Sequence, residues 1–340
     1  MRYSKLAGGR QATLAIVAAE LGLSTATVSR ALHKPHLLNP GTVERVKTMV
    51  DRVGYRPNFL AQNLKTGRTY NVLVVVPVLA PSFLEMLRGI QQAADQAGYF
   101  AAIAHSGYDA RREDQYFDQV SSGRADGVLL LSGASAGEAR TSRYRLPLIV
   151  SVLDADPAGL FPSVRVDHRA GASAAVNHLI GLGHRRIAHI AGKPASRIAR
   201  QRREGFLSAM VAAGLAADES AVTEDFTPEA GACAMERLLS SRKPPTAVFA
   251  ANDELAVGAV GHILKAGLSV PGDISVTGFD NLPLGRACTP ALTTVDVPMF
   301  DLGRLGMEKL LCLIGGETVV ADEVLPTGII ERSTTARPSS

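Results

Sequence analysis

The sequence has no tryptophan, only 5% aromatic residues, and three cysteines in 340 residues. Cys233, Cys288 and Cys312 lie far apart, and none sits in a C-x-x-C or His/Cys spacing, so neither a zinc site nor a disulfide framework organises the chain. Free, mostly buried thiols in a reducing compartment are expected. No run reaches the ~18 apolar residues that a spanning helix needs. The first residues, MRYSKLAGGRQATL, lack the apolar stretch of a secretory signal, and a cytoplasmic protein is expected. Catalytic signatures are missing too: there is no G-x-S-x-G and no H-E-x-x-H. GHRRIAHIAGKP contains Gly-Lys without the order of a phosphate-binding loop. His168, His178, His184 and His189 have no acid or Cys partner at ligand spacing, so packed or surface roles are expected for them, with no metal and no cofactor. No residue stands out as a nucleophile, and an enzyme is not expected.

What the chain does have is an uneven distribution of charge. Overall it carries 36 Lys/Arg against 32 Asp/Glu, a net of +4, with 46% hydrophobic residues. Residues 1–70 hold 11 Lys/Arg against 3 acids (Glu20, Glu44, Asp51), a net of +8, which leaves −4 on the remaining 270. A small cationic module joined to a mildly acidic body points to a head that binds a polyanion.

The pattern inside the head names the polyanion. From Thr13 the chain reads TLAIVAAELGLSTATVSRAL: Val17, Ala18 and Leu21 share one helical face, Gly22 interrupts, and Leu23, Val28, Ala31 and Leu32 supply a second face. Two short helices with a Gly-containing turn form a helix-turn-helix, with Ala18 and Gly22 small because the helices cross closely there. Ser24 is the expected N-cap of the second helix. Its polar face, Thr25, Ala26, Thr27, Ser29 and Arg30, is then the surface that meets base edges in the major groove, with Arg30 the strongest single contact. Asn39 and Pro40 announce a third helix to about Val53, which turns Val43, Val46, Val50 and Val53 inward. Arg45, Lys47 and Arg52 on its outside either touch phosphates or stay solvated. FLAQNLKTGRT, after GYRPN, is too short to hold a helix alone in water, which suits a segment that orders on DNA or against a second copy.

Residues 12–70, through LSTATVSRAL, VGYRPNFLAQNLKTGRT and then NVLVVVPV, resemble the head and hinge of the LacI/GalR family of bacterial transcriptional regulators. The resemblance implies that paired hinge helices of a homodimer enter the minor groove of operator DNA. There Leu64 wedges a base step, and Asn63 and Lys65 make polar contacts. One position departs from the family pattern: Ile16 stands where an acid usually helps to cap the first helix, so Thr13 cannot complete a capping box there.

After Asn71 apolar runs alternate with amphipathic helices: NVLVVVPV, SFLEMLRGIQQAADQAG, YFAAIAHS, a helix near Arg111 to Val120, DGVLLLSG, LIVSVL and VRVD. Then follow a helix from about Ala170 to Leu182, RRIAHIAG, a helix through Phe206 to Ala213 and another near Pro228 to Leu239. TAVFAAND, DELAVGAVGHILKAG, ISVTGFDN and LTTVDVP complete the series. Continuous apolar strands between helices mean parallel sheets covered on both faces, and the length calls for two such units. Ligands of such sheets bind beyond the carboxyl ends of the strands. That rule selects Ser82 and Phe83, Ser106 and Asp109, Asn252 and Asp253, and Asp280 and Asn281; Asp253, just ahead of a helix, reads better as a cap.

The family resemblance extends through VRVDHRAGASAAVNHLIGLGHRRIAHIAG, PPTAVFAANDELAVGA, VPGDISVTGFDN and PALTTVDVP to about residue 335. It implies a two-lobe α/β periplasmic-binding-protein-like core, with its ligand cleft between the lobes. The expected organisation is a helix-turn-helix domain over 12–57, a hinge helix and linker over 58–70, and an effector core over 71–335. In the core, 71–168 and 299–325 form the N-lobe, and 169–296 and 326–335 form the C-lobe. By the resemblance, Arg202 in RQRREGF is the effector-binding arginine, Phe226 an aromatic that stacks on the ligand, and Asn252 and Asp280 polar contacts. Val152-Leu153 stands where the family often has Asp-Arg or Asp-Trp after PLIVS, with Asp154 displaced by two, so that side of the cleft is expected to be less polar. The resulting reading is a ligand-responsive repressor whose effector is a sugar. STATVSRAL and VLVVVPV are similar to the nucleoside-responsive branch, which makes a nucleoside the alternative. A sugar-binding protein or enzyme is the rival from another class. No apolar heptads follow IIERSTTARPSS, so a coiled-coil route to tetramers is not expected.

Overall fold

A computed structural model describes residues 12–33, 35–55, 67–131, 148–155, 159–216, 220–223 and 225–339. The hinge residues Asn63, Leu64 and Lys65 lie outside the described residues. The chain divides into two compact units, Met1–Thr69 and Tyr70–Ser340.

The first unit contains three α-helices among its described residues: α1 (Leu14–Leu21), α2 (Thr25–His33) and α3 (Pro40–Val53). Each starts on a polar cap. Thr13 Oγ1 accepts from the amide of Ile16 at 3.4 Å, Ser24 Oγ from that of Thr27 at 3.1 Å, and Asn39 Oδ1 from that of Gly41 at 2.9 Å. Thr13 therefore caps α1 by itself, and the missing acid at Ile16 does not prevent the helix from starting there. Val17, Val28 and Val46, all fully buried, form the centre of this small core with Ala18 and Ala31. Each valine contributes roughly 1.5–3 kcal/mol by leaving water. Gly22 corrects the sequence reading. A Cβ there would meet nothing, so close crossing is not its reason; it takes φ +66° as the left-handed C-cap of α1.

The second unit is built on two six-stranded sheets. One runs β11-β5-β4-β3-β1-β2, with β1 Asn71–Val76, β2 Phe100–His105, β3 Gly127–Leu131, β4 Ile149–Leu153, β5 Ser163–Val166 and β11 Asp322–Leu325. The other runs β12-β10-β9-β8-β6-β7, with β6 Ile187–Ala191, β7 Ser220–Val222, β8 Ala247–Ala250, β9 Ser275–Asp280, β10 Thr293–Asp296 and β12 Gly328–Ile330. All pairings are parallel except β10 with β12. Every residue of β3, β4, β6, β8 and β9 is buried, as expected of strands covered on both faces.

The helices of this unit are α4 (Leu84–Gln96), α5 (Ala110–Gln119), α6 (His168–Gly181), α7 (Arg197–Ala212), α8 (Pro228–Leu239), α9 (Asp253–Lys265), α10 (Pro283–Ala287) and α11 (Met299–Gly315). Helices α4 and α11 pack at the distance of two backbones: a Cβ on Gly89 would strike the Phe300 carbonyl, and one on Gly303 the Met86 carbonyl. The chain passes from one sheet to the other between β5 and α6, back between β10 and α11, and again between β11 and β12. Three crossing segments are a hinge, and the sheets are the lobes it joins. Strands β7, β11 and β12 and helices α10 and α11 are absent from the sequence reading. β11 is held through Asp322, whose carboxylate takes Arg165 at 2.7 Å and the Ser163 hydroxyl at 2.5 Å. No single helix among the described residues is long and apolar enough to cross a membrane.

Candidate functional site

Two surfaces carry chemistry, one in each unit. On α2, Thr25, Ala26 and Arg30 are exposed, while Thr27 and Ser29 are half-buried. The Thr27 hydroxyl pairs with that of Ser24 at 2.8 Å, which ties it to the cap. Thr25, Ala26 and Arg30 are therefore the members of the predicted face free to meet a partner. On α3, Arg45 donates to the carbonyl of Leu21 at 3.4 Å and so serves the end of α1.

In the second unit a cavity of about 250 Å³ opens between the two sheets. All six predicted effector residues line it: Ser82, Phe83, Arg202, Phe226, Asn252 and Asp280. Ser82, Phe83, Phe226 and Asn252 follow the carboxyl ends of strands, Asp280 is the last residue of β9, and Arg202 reaches the same end from the second turn of α7. The walls differ. From the N-lobe come Val78 to Phe83, Tyr108, Leu153 and Met299, an apolar surface apart from the Ser82 and Tyr108 hydroxyls. From the C-lobe come Arg202, Asp225, Asn252, Glu254 and Asp280, which hold all the charge.

Arg202 is the centre of the C-lobe wall and is 3% exposed. Its guanidinium donates to the Ala251 carbonyl at 2.5 Å and to Asp280 Oδ1 at 2.7 Å, and it lies 3.7 Å over the Phe279 ring. Nε and Nη2 also approach His168 Nδ1 at 3.4 and 3.3 Å. His168 Nε2 is 2.9 Å from the Leu153 carbonyl. A carbonyl only accepts, so Nε2 carries the proton and Nδ1 is the acceptor for Arg202. Burial, then the Arg202 charge, hold the His168 pKa well below the usual histidine range, so the ring stays neutral. Burial pushes the Asp280 carboxyl up, against the pull of Arg202.

This network fixes strained backbone. Leu153 and Asp280, neither of them glycine, take φ of 76° and 102°. Such conformations cost about 1–3 kcal/mol each and persist where the surroundings over-determine them. His168 holds the Leu153 carbonyl, and Arg202 holds the Asp280 side chain. Phe226 owes its place to Gly192, where a Cβ would strike its ring.

Some predicted roles change. Asn252, not Asp253, caps α9: its Oδ1 accepts from the Leu255 amide at 3.0 Å. Asp253 is fully buried and accepts from the Leu282 amide at 2.6 Å and the Thr294 hydroxyl at 2.5 Å, so its work is structural. Asp109 caps α5, and the buried Ser106 bonds to Val76, so it is Tyr108 between them that lines the cleft. Asn281 is engaged by Asp296 and Arg332. Arg197 makes a two-point ion pair with Asp154 at 2.7 and 2.9 Å, and Gln201 adds a bond to the same carboxylate at 3.2 Å. Asp154 thus bridges from the end of β4 to α7, while Leu153 supplies the less polar lining. Tyr108, Asp225, Glu254 and Met299 escaped the sequence reading; applying the strand-end rule a few residues further along each loop would have found Tyr108, Glu254 and Met299, whereas Asp225 follows β7, a strand that reading lacks.

Residues 13–58 match the bacterial regulatory proteins of the lacI family, and residues 176–335 match a periplasmic binding protein-like domain. The chain is 37% identical over 311 residues to the HTH-type transcriptional repressor CytR of Escherichia coli (strain K12), with 91% of each chain covered. The chain belongs to the lacI family. It is a DNA-binding transcriptional regulator with the family's helix-turn-helix head and two-sheet core. A solved lac repressor dimer, bound to operator and the anti-inducer ONPF, superposes with a TM-score of 0.84 at 27% identity, covering 96% of this chain and 100% of that one. The regulator CelR in complex with cellobiose matches with a TM-score of 0.70 at 30% identity, covering 95% and 100%.

Proposed function

We propose that this lacI-family regulator is a repressor that binds a pseudopalindromic operator as a homodimer in the cytoplasm, and that a small sugar or nucleoside in the 250 Å³ cleft controls that binding. The observation that carries the reading is the convergence of six sequence-nominated residues on one cavity between hinged lobes, in a chain whose other unit is a cationic helix-turn-helix. On the DNA side, Thr25, Ala26 and Arg30 read base edges, Thr27 and Ser29 support them, and Leu64 wedges the minor groove with Asn63 and Lys65 beside it. On the effector side, Arg202 and Asp280 orient ligand hydroxyls, Asn252 and Ser82 add hydrogen bonds, and Phe83 and Phe226 cover the ring faces.

Coupling requires the effector to bind the two lobe arrangements with different affinity. Contacts that cross the cleft supply the difference: Asp154 with Arg197, and the Tyr108 hydroxyl with Ser196. The cleft lies at the small end of ligand pockets, which suits one or two rings. A nucleoside is the second reading, favoured by the apolar wall of Val78, Phe83, Leu153 and Met299, against which a base would pack. The test selects an operator from random duplexes with the full chain, then titrates sugars and nucleosides into the complex and follows fluorescence anisotropy. A palindromic consensus whose binding shifts with one class of compound is expected. Sequence-indifferent binding, or an operator complex that ignores every compound in both classes, would overturn the proposal.

A further inference from the structure

The charge of the cleft points further than its shape. Among the described residues lining it, Arg202 is the one cation, and Asp280 already neutralises it at 2.7 Å. That leaves Asp225 and Glu254 without a compensating positive charge. Glu254 is only 7% exposed and lines the cavity. Its Oε2 accepts from the Asn252 amide nitrogen at 3.3 Å, whereas Oε1 has no protein partner among the described residues. Asp225 follows the same pattern, with Oδ1 taken by the amide of Phe226 at 2.7 Å and Oδ2 unpartnered among the described residues. Asp280 Oδ2 is the third free oxygen, Oδ1 being held by Arg202. The C-lobe wall is thus a set of acceptors with an excess of negative charge, facing an apolar wall 3–8% exposed at Leu153, Met299 and Phe83.

We propose that the cleft selects an effector without negative charge that presents hydrogen-bond donors to Glu254, Asp225 and Asp280, and that Glu254 is the residue that turns away anionic relatives such as phosphorylated sugars and nucleotides. This rests on the reading of the cleft as the effector site. Burial, reinforced by Asp280 and Asp225, pushes the Glu254 carboxyl up to about 7, so the group already resists negative neighbours and a ligand phosphate would add another. A doubly charged phosphate brought within a few ångströms of two uncompensated carboxylates in a partly desolvated cleft loses affinity on the order of 100-fold or more.

The experiment is calorimetric titration of the full chain at pH 8 with ribose and the four ribonucleosides, each paired with its 5′-phosphate. The result expected is that a neutral member binds and its phosphate binds at least about 100-fold more weakly. In Glu254→Gln, checked for folding by its melting curve, the ratio should shrink several-fold and at most about tenfold, because a carboxyl with its pKa near 7 can take up a proton at pH 8 as the phosphate arrives. Asp225→Asn, at an exposed position, gives a second reading of the same ratio should the Gln variant fold poorly. A phosphate that binds within threefold of its parent, or a ratio unchanged in the folded variants, overturns the inference and leaves the effector reading intact. No binding by any member, neutral or charged, removes ribose and the ribonucleosides as effectors and overturns the inference.

Discussion

Replacing Arg202 with alanine should damage the fold before it affects ligand response. The guanidinium is 3% exposed and Asp280 is 6% exposed, so removing the arginine leaves a carboxylate buried without its cation. It also strips the Ala251 carbonyl of a 2.5 Å bond, takes the donor from His168 Nδ1 and uncovers the Phe279 ring. Breaking a buried ion pair from one side costs about 3–5 kcal/mol. For a unit of this size each kcal/mol lowers the melting temperature by roughly 2–4 °C, so a fall of about 10 °C is expected. Removing both partners should cost less than the two single changes together, because Arg202→Ala/Asp280→Ala no longer buries a lone charge. Differential scanning calorimetry of wild type, both singles and the double closes this cycle. A single Arg202→Ala variant that melts within 2 °C of wild type, or a double whose cost equals the sum of the singles, would refute the reasoning.

Operator affinity should fall steeply with salt, the log–log slope growing by about 0.9 for each phosphate neutralised; a flat response in anisotropy would contradict DNA binding by the +8 head. Ser24→Ala should lower the stability of the helix-turn-helix by about 1 kcal/mol in a urea melt, since the hydroxyl accepts from the Thr27 amide and pairs with the Thr27 hydroxyl. Gly192→Ala should push Phe226 out of place and weaken the effector at least about tenfold by calorimetry; unchanged affinity would show that Phe226 does not touch the ligand. Glu254 has its pKa raised to about 7, so its stabilising contribution is complete below the ordinary carboxylate range and is lost as pH rises through 7. Melting temperatures of wild type should therefore fall relative to Glu254→Gln between pH 5 and 8, and parallel curves would count against that shift.

Periodicity and strand-end rules recovered the architecture where the pattern was local. The NVLVVVPV and DGVLLLSG strands, the N-caps at Ser24 and Asn39 and the helix starting at Pro228 were all readable, because each is written in a handful of adjacent residues. Strands β11 and β12 were not. Asp322–Leu325 has the burial of an edge strand, and Gly328–Ile330 is three residues long, so neither carries an apolar run that periodicity could detect. β11 is set by Arg165 and Ser163 reaching Asp322 across some 157 residues of chain. The Asp253 and Asn252 roles were exchanged for a similar reason. Adjacent at one helix start, either could cap it, and only the positions of Leu282 and Thr294 decide that Asp253 is spoken for elsewhere.

The same limit governs the cleft, and there it reverses the apparent importance of its residues. A side chain's type tells which bonds it can make, while the fold tells which of them are already used. Arg202 and Asp280, nominated for ligand, give part of their capacity to each other across 78 residues of chain, and Arg202 gives more to Ala251 and His168. Their common task is then to tie the ends of β8 and β9 to the start of α6, the strained Asp280 backbone included, and so to shape the wall. Glu254, which the sequence did not single out, keeps an oxygen free toward the cavity because Asn252 occupies only the other one. Discrimination among ligands falls to groups with bonds still to make, so Glu254 and Asp225 decide what enters, while the Arg202 network determines the form of the site they enter.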